Sequence, residues 1–218
     1  SNENDFNSEK SEIEIKELQT EKPTKGSFAI DVVKLASGTA FAQVIGFLLS
    51  PIVARLFSPS DFGVYANFNS IVILIGAIAC LRYEQSIMLP KTKEGAANQF
   101  GVSLLTSIVI GVFSLFAVVF LGGAIVKWLK IPELSPYLLL IPLSITLTGI
   151  FTALNYWNTR SKQFLRLTFA QINRTTTEYA TKIGFGFLGF ANSGGLIIST
   201  VLGSLISTIT LGFQIWRD

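Results

Sequence analysis

Apolar residues run along this chain in long blocks separated by short charged or turn-forming clusters. Lys34 and Arg55 bracket one block, and Asp61 and Arg82 bracket the next. Each uncharged stretch is about 20 residues, the length a helix needs to cross a bilayer. No charge interrupts the chain from Gly95 to Val126. Block by block, the pattern predicts an all-α, polytopic membrane protein. Six transmembrane helices are expected over residues 32–57, 62–89, 98–121, 135–157, 164–190 and 196–216. A Ser58-Pro59-Ser60-Asp61 turn, with Pro59 placed to start a helix, makes the first two a predicted hairpin.

Three of these helices carry small residues at every fourth position. The stripes are Gly38, Ala42, Gly46, Ser50 and Ala54; Ser103, Ser107 and Gly111; and Gly195, Ser199, Gly203 and Ser207. Small side chains in register let one helix backbone approach another closely, the usual basis of packing inside a membrane. Pro51 and Pro142 fall inside predicted helices and are expected to bend them. Trp128, Trp157 and Trp216 fall at predicted helix ends, as interfacial aromatics do.

Polar side chains break the pattern in few places. On the fifth helix Gln171, Arg174, Glu178 and Lys182 lie three or four apart and so share a face, with Thr175 and Thr177 beside them. A charge at the bilayer centre costs ~2.5–3.5 kcal/mol on insertion scales, so three facing lipid would cost on the order of 8–10 kcal/mol. That face must meet other helices or a wet cavity. Two readings follow: an internal Arg174–Glu178–Lys182 ladder, or a cavity wall with one surplus positive charge. On the second helix Arg82 and Glu84 precede the apolar Ile87, Met88 and Leu89. They read either as a self-satisfied interfacial pair or as a charged gate at the cytoplasmic mouth of a cavity. Gln43, Asn67 and Asn69 complete the candidates. Gln43 suits an interhelical hydrogen bond or a substrate contact.

Composition agrees. Half the residues are apolar and 14% are charged, against ~25% charged in soluble domains, and mean hydropathy is +0.53. Eight of the 14 acids precede Val32. Residues 1–31 therefore read as an acidic, disordered cytoplasmic tail, acidic where a signal peptide needs a basic start. From Val32 onward 13 Lys and Arg face 6 acids. A basic membrane part suits anionic lipid or an anionic lipid-linked substrate. Nucleic acid does not fit, because the basic residues sit between apolar runs. With the N-terminus cytoplasmic, Lys34, Arg82, Lys91, Lys93, Arg160, Lys162, Arg166 and Arg217 lie inside, and Arg55, Lys127 and Lys130 outside, in line with the positive-inside rule. The single cysteine, Cys80, lies in an apolar run and forms no internal disulfide. Histidine is absent, which removes the usual general base and the commonest metal ligand. No catalytic or metal-binding residue is expected, nor an enzyme, and no Walker-type glycine loop points to ATP.

The segments RLFSPSDFGVYA, LRYEQSIMLPK, NTRSKQF and GGLIISTVLGSLIS, in this order, resemble the bacterial polysaccharide-transport flippases of the multidrug/oligosaccharidyl-lipid/polysaccharide export superfamily. The resemblance covers about residues 32–217. It implies a multi-pass protein of the bacterial plasma membrane, with no cofactor beyond a coupling H+ or Na+. The implied substrate is a lipid-linked oligosaccharide on polyprenyl diphosphate, moved for O-antigen, capsule or exopolysaccharide assembly in contact with membrane lipids and the polysaccharide machinery. Such proteins are about twice as long, so this chain is expected to be an N-terminal six-helix lobe. Arg174 and then Arg82 are the candidate contacts to the diphosphate, with Glu178 and Glu84 as proton carriers or as anchors for the arginines. Rival readings are a cation-coupled multidrug exporter, which would favour an acidic cavity, a membrane enzyme such as a sugar polymerase, and a scaffold engaged through the acidic tail.

Overall fold

The computed structural model describes residues 25–77, 79, 83–90 and 92–217, with side chains from residue 38 onward apart from 129 and 216. Residues 1–24, Cys80, Arg82 and Lys91 lie outside these. The described residues form helices and no strand: α1 (Lys25–Leu56), α2 (Pro59–Gly76), the single turn α3 (Tyr83–Ser86), α4 (Lys93–Leu129), a 3-10 turn (Pro132–Tyr137), α5 (Leu140–Arg160), α6 (Phe164–Phe187) and α7 (Ser193–Trp216). α1 starts at Lys25, so the last residues of the expected tail are helical.

Among the described residues four segments are long and apolar enough to cross a membrane: Gly38–Leu56, Lys93–Trp128, Leu140–Arg160 and Ser193–Ile215. The chain is thus a membrane protein, with four such helices where six were expected. α2 and α6 fall short for different reasons. α2 has 18 residues, about 27 Å at 1.5 Å per residue, and carries Asp61, Asn67 and Asn69. α6 has 24 residues and is long enough, but carries Arg174, Glu178 and Lys182.

The single helix expected over residues 62–89 is broken. α2 stops at Gly76, and α3 follows as a separate turn. Glycine weakens a helix by about 1 kcal/mol, and here its bare Cα is used for packing. A Cβ at Gly76 would lie 3.2 Å from the Thr148 side chain, and the buried Ala79 presses on Gly149 of α5. Pro142 also differs from expectation. It sits in the first turn of α5, where a missing N–H breaks no helical bond, so it does not interrupt the helix interior. Pro51 lies inside α1 as expected. The Phe47 carbonyl that Pro51 cannot serve accepts the Ser50 hydroxyl at 3.2 Å.

Small residues set the packing. α1 runs parallel to α6: Gly38 meets Thr168, Gly46 lies at Tyr179, and Leu56 lies at Gly186. α6 packs antiparallel on α7, where a Cβ at Gly203 would stand 3.0 Å from the Arg174 carbonyl oxygen. α4 packs on α5 through Ser103, Ser107 and Gly111, facing Thr146 and Gly149. α2 rests on α5 and α7. The predicted hairpin therefore shares a turn but not a face, because α1 and α2 diverge onto different partners.

The turn is firmly built. Ser58 caps α2, its hydroxyl accepting from the Asp61 N–H at 3.2 Å, while Asp61 Oδ2 accepts from the Ser58 N–H at 3.2 Å. The other Asp61 oxygen accepts the Ser193 N–H at 2.8 Å, at the first residue of α7. One carboxylate thus caps two helices and ties the α1–α2 turn to the α6–α7 turn. At the opposite end Arg160 of α5 donates to the carbonyls of Ile87, Pro90 and Thr92 at 2.9, 2.5 and 3.3 Å. It holds the loop between α3 and α4 against the bundle.

Candidate functional site

The divergence of α1 from α2 leaves a cleft beside α6. A cluster of Val53, Phe57 and Leu196, with Phe62, Tyr65, Tyr179 and Ile183 packed on it, fills the turn end. Below it a groove of about 500 Å³ lies between α1 and α6, lined by Gln43, Ser50, Gln171, Thr175, Glu178 and Tyr179 among others. Gln43 and Ser50 are exposed on α1, and the α6 residues are half-buried. Helical spacing explains the choice of side chains. At 100° per residue, positions 171, 175, 178 and 182 fall within an arc of about 60°.

Glu178 is the hub of this wall. Lys182 Nζ lies 2.6 Å from Glu178 Oε1, with the two side chains 8% and 17% exposed. Thr200 of α7 donates its hydroxyl to the same oxygen at 3.1 Å and stands 3.3 Å from the Tyr65 hydroxyl. The ammonium lies over the Tyr65 ring at 4.8 Å and the Tyr179 ring at 5.3 Å. A buried cation held by one carboxylate and two ring faces has the partners that burial demands. The pair joins α2, α6 and α7 at the closed end of the cleft.

Arg174 is not in this network. The sequence permits a three-member ladder, but Glu178 takes Lys182 and leaves Arg174 out. The arginine lies about 60° round the helix from Gln171. Its guanidinium carbon sits 5.5 Å from the Phe151 ring centre on α5. Among the described residues no carboxylate lies within ion-pair distance of it. The structure thus holds the Glu178–Lys182 part of the ladder without Arg174, and Arg174 does not line the groove.

The other candidates disperse. Asn67 donates to the Gly63 carbonyl of its own helix at 2.8 Å, and neither it nor Asn69 lines the groove. Glu84 is 7% exposed, and its Oε2 has no hydrogen-bond partner among the described residues. It lies next to the loop that Arg160 clamps, away from the groove. Arg82 falls outside the described residues, so the Arg82–Glu84 pair has no geometry here. Sequence reasoning missed the bridging role of Asp61, although Ser58 and Asp61 stand at capping-box spacing. It also missed Tyr65, Tyr179 and Thr200, whose types carry no signal until α2 and α7 are placed beside α6.

No group of three or more His, Cys, Asp or Glu that would hold a metal occurs among the described residues. The groove thus offers amides, hydroxyls, ring faces and one neutralised ion pair, with an unneutralised guanidinium on the neighbouring flank. That arrangement suits non-covalent recognition of a polar molecule. Comparison with curated proteins and with solved structures gives no match. The model of one family, described as polysaccharide biosynthesis protein, matches residues 52–217. The chain belongs to the polysaccharide biosynthesis protein family.

Proposed function

We propose that this chain is a lobe of a transporter that carries lipid-linked oligosaccharide across the bacterial plasma membrane by alternating access. The observation carrying the proposal is Arg174, a guanidinium midway along α6 with no carboxylate beside it. An unpaired cation at that depth is costly unless it faces water or an anion. The diphosphate of a polyprenyl carrier supplies such an anion, and attraction is strong where the dielectric is low. α2 and α6 then complete six crossings inside the bundle, where their polar faces meet protein and water. With the N-terminus cytoplasmic, the filled α1–α2 turn lies outside and the cleft opens inward, as an inward-facing half would.

A cation-coupled drug exporter is less well supported. It calls for an available acid in the cavity, whereas Glu178 is already engaged by Lys182 and Thr200. The test is Arg174→Ala. Surface polysaccharide should fall to the level of a null strain while the protein still inserts at normal abundance. Normal polymer with an inserted variant removes Arg174 from the substrate path and with it the main support for the reading.

A further inference from the structure

We infer that the α1–α6 groove is a glycan subsite that selects uncharged sugar residues, while the anionic carrier is drawn to the other flank of α6. The inference rests on the transporter reading for the class of ligand and adds which part of it this groove holds. Gln43 and Gln171 each present an amide with donors and an acceptor, and Ser50 and Thr175 add hydroxyls. Sugar hydroxyls and N-acetyl groups are likewise donor and acceptor at once. Phe47 and Tyr179 bring aromatic rings to the same lining, which pair with the apolar faces of a pyranose. The volume of about 500 Å³ falls within the range of small-molecule sites.

Charge sets the selectivity. Among the lining residues Glu178 is the one carboxylate, and no lysine or arginine lines the groove. A uronate or a phosphorylated sugar entering here finds no free counter-charge, because Glu178 already pairs with Lys182 and no other cation lines the groove. The cations of this region lie elsewhere: Lys182 is enclosed by Tyr65, Tyr179 and Glu178, and Arg174 faces Phe151. The two flanks of one helix thus divide a two-part ligand, with neutral polar groups on one side and an unneutralised cation on the other.

The experiment uses the full chain in lipid nanodiscs, with Cys80→Ser and Ser50→Cys, and follows modification of the new thiol by a charged, water-soluble reagent. Ser50 is exposed on the groove wall. Glucose and N-acetylglucosamine should slow the modification in a saturable way. Glucuronate should need roughly tenfold more or higher, the factor that 1.4 kcal/mol makes. Glu178→Gln frees the Lys182 ammonium as a counter-charge beside the groove and should bring glucuronate level with the neutral sugars. Because that change leaves Lys182 without its ion pair, Gln43→Leu on the exposed α1 wall serves as a second variant: it should abolish protection by neutral sugars without altering the unprotected rate. A thiol that does not react, no protection by either neutral sugar, or equal protection by glucuronate overturns the assignment. If sugars fail to protect while Arg174→Ala still abolishes polymer, the groove assignment falls and the transporter reading stands. If sugars protect and Arg174→Ala leaves polymer normal, the reverse holds.

Discussion

The α4–α5 seam and the α6–α7 seam are made by the same device and carry different chemistry. Both join antiparallel helices through serines and glycines spaced by four. In α4 the hydroxyls of Ser103 and Ser107 are satisfied within their own helix, donating to the carbonyls of Gln99 and Ser103 at 2.9 and 2.8 Å. The outward side of that pair is apolar: Phe113, Phe116 and Phe120 are 72, 57 and 78% exposed. Across α6–α7 the close approach at Gly203 brings Glu178 to Thr200, and Lys182 is buried beside it. Small-residue packing by itself builds an inert joint. It becomes a candidate site where ionisable groups are enclosed with it, and on α6 a polar groove lies alongside.

The contrast can be broken most severely at Lys182. Lys182→Leu leaves the half-buried Glu178 without its cation and should cost about 3 kcal/mol, the low end of the range for a buried pair because the groove side keeps water, read as a large drop in thermal unfolding temperature in detergent. Adding Glu178→Leu should recover most of the loss. Equal instability in the single and double variants would show that lost packing, and not an orphaned charge, is responsible. Next in size is Gly203→Val. The added carbon meets the Arg174 backbone, which cannot yield as a side chain would, so a loss of about 1–3 kcal/mol is expected from overpacking. Asp61→Ala removes capping from α2 and α7 together, at about 0.5–2 kcal/mol per cap. Faster proteolysis at the α1–α2 and α6–α7 turns should accompany it, and cleavage confined to one turn would contradict the shared cap. Ser107→Ala, in the α4–α5 seam, removes a buried hydroxyl together with its hydrogen bond to the Ser103 carbonyl and should cost about 1 kcal/mol.

Much of this was written in local sequence. The expected ends of α6 and α7 lie within three residues of those observed, whereas α1 starts seven residues early and α4 overruns its expected bounds by five and eight residues. The small-residue stripes marked the real contact faces, although in α1 the stripe turns away after Gly46: Ser50 and Ala54 are exposed, and Val53 and Phe57 are buried instead. The break at Gly76 was hidden, because the apolar run continues across it and only the contacts with Thr148 and Gly149 reveal its use. Partner choice on α6 was equally hidden. Arg174 and Lys182 are both four residues from Glu178, and the spacing rule treats them alike. Tyr65 of α2 lies under the lysine ammonium, and Thr200 of α7 holds its carboxylate partner. They are tertiary facts that no pattern along one helix contains.

The central claim is that the Gln171–Thr175–Glu178 side of α6 borders water while the α4 side borders lipid. Single cysteines at Thr175 and Phe116, each in a Cys80→Ser background in membranes, test it directly by their rates with a charged, membrane-impermeant thiol reagent. The Thr175 cysteine should react and the Phe116 cysteine should stay inert, although Phe116 is the more exposed of the two in the fold. An unreactive cysteine at position 175 under conditions where a loop cysteine labels fully would mean the polar face is sealed, and the cleft would not be a passage.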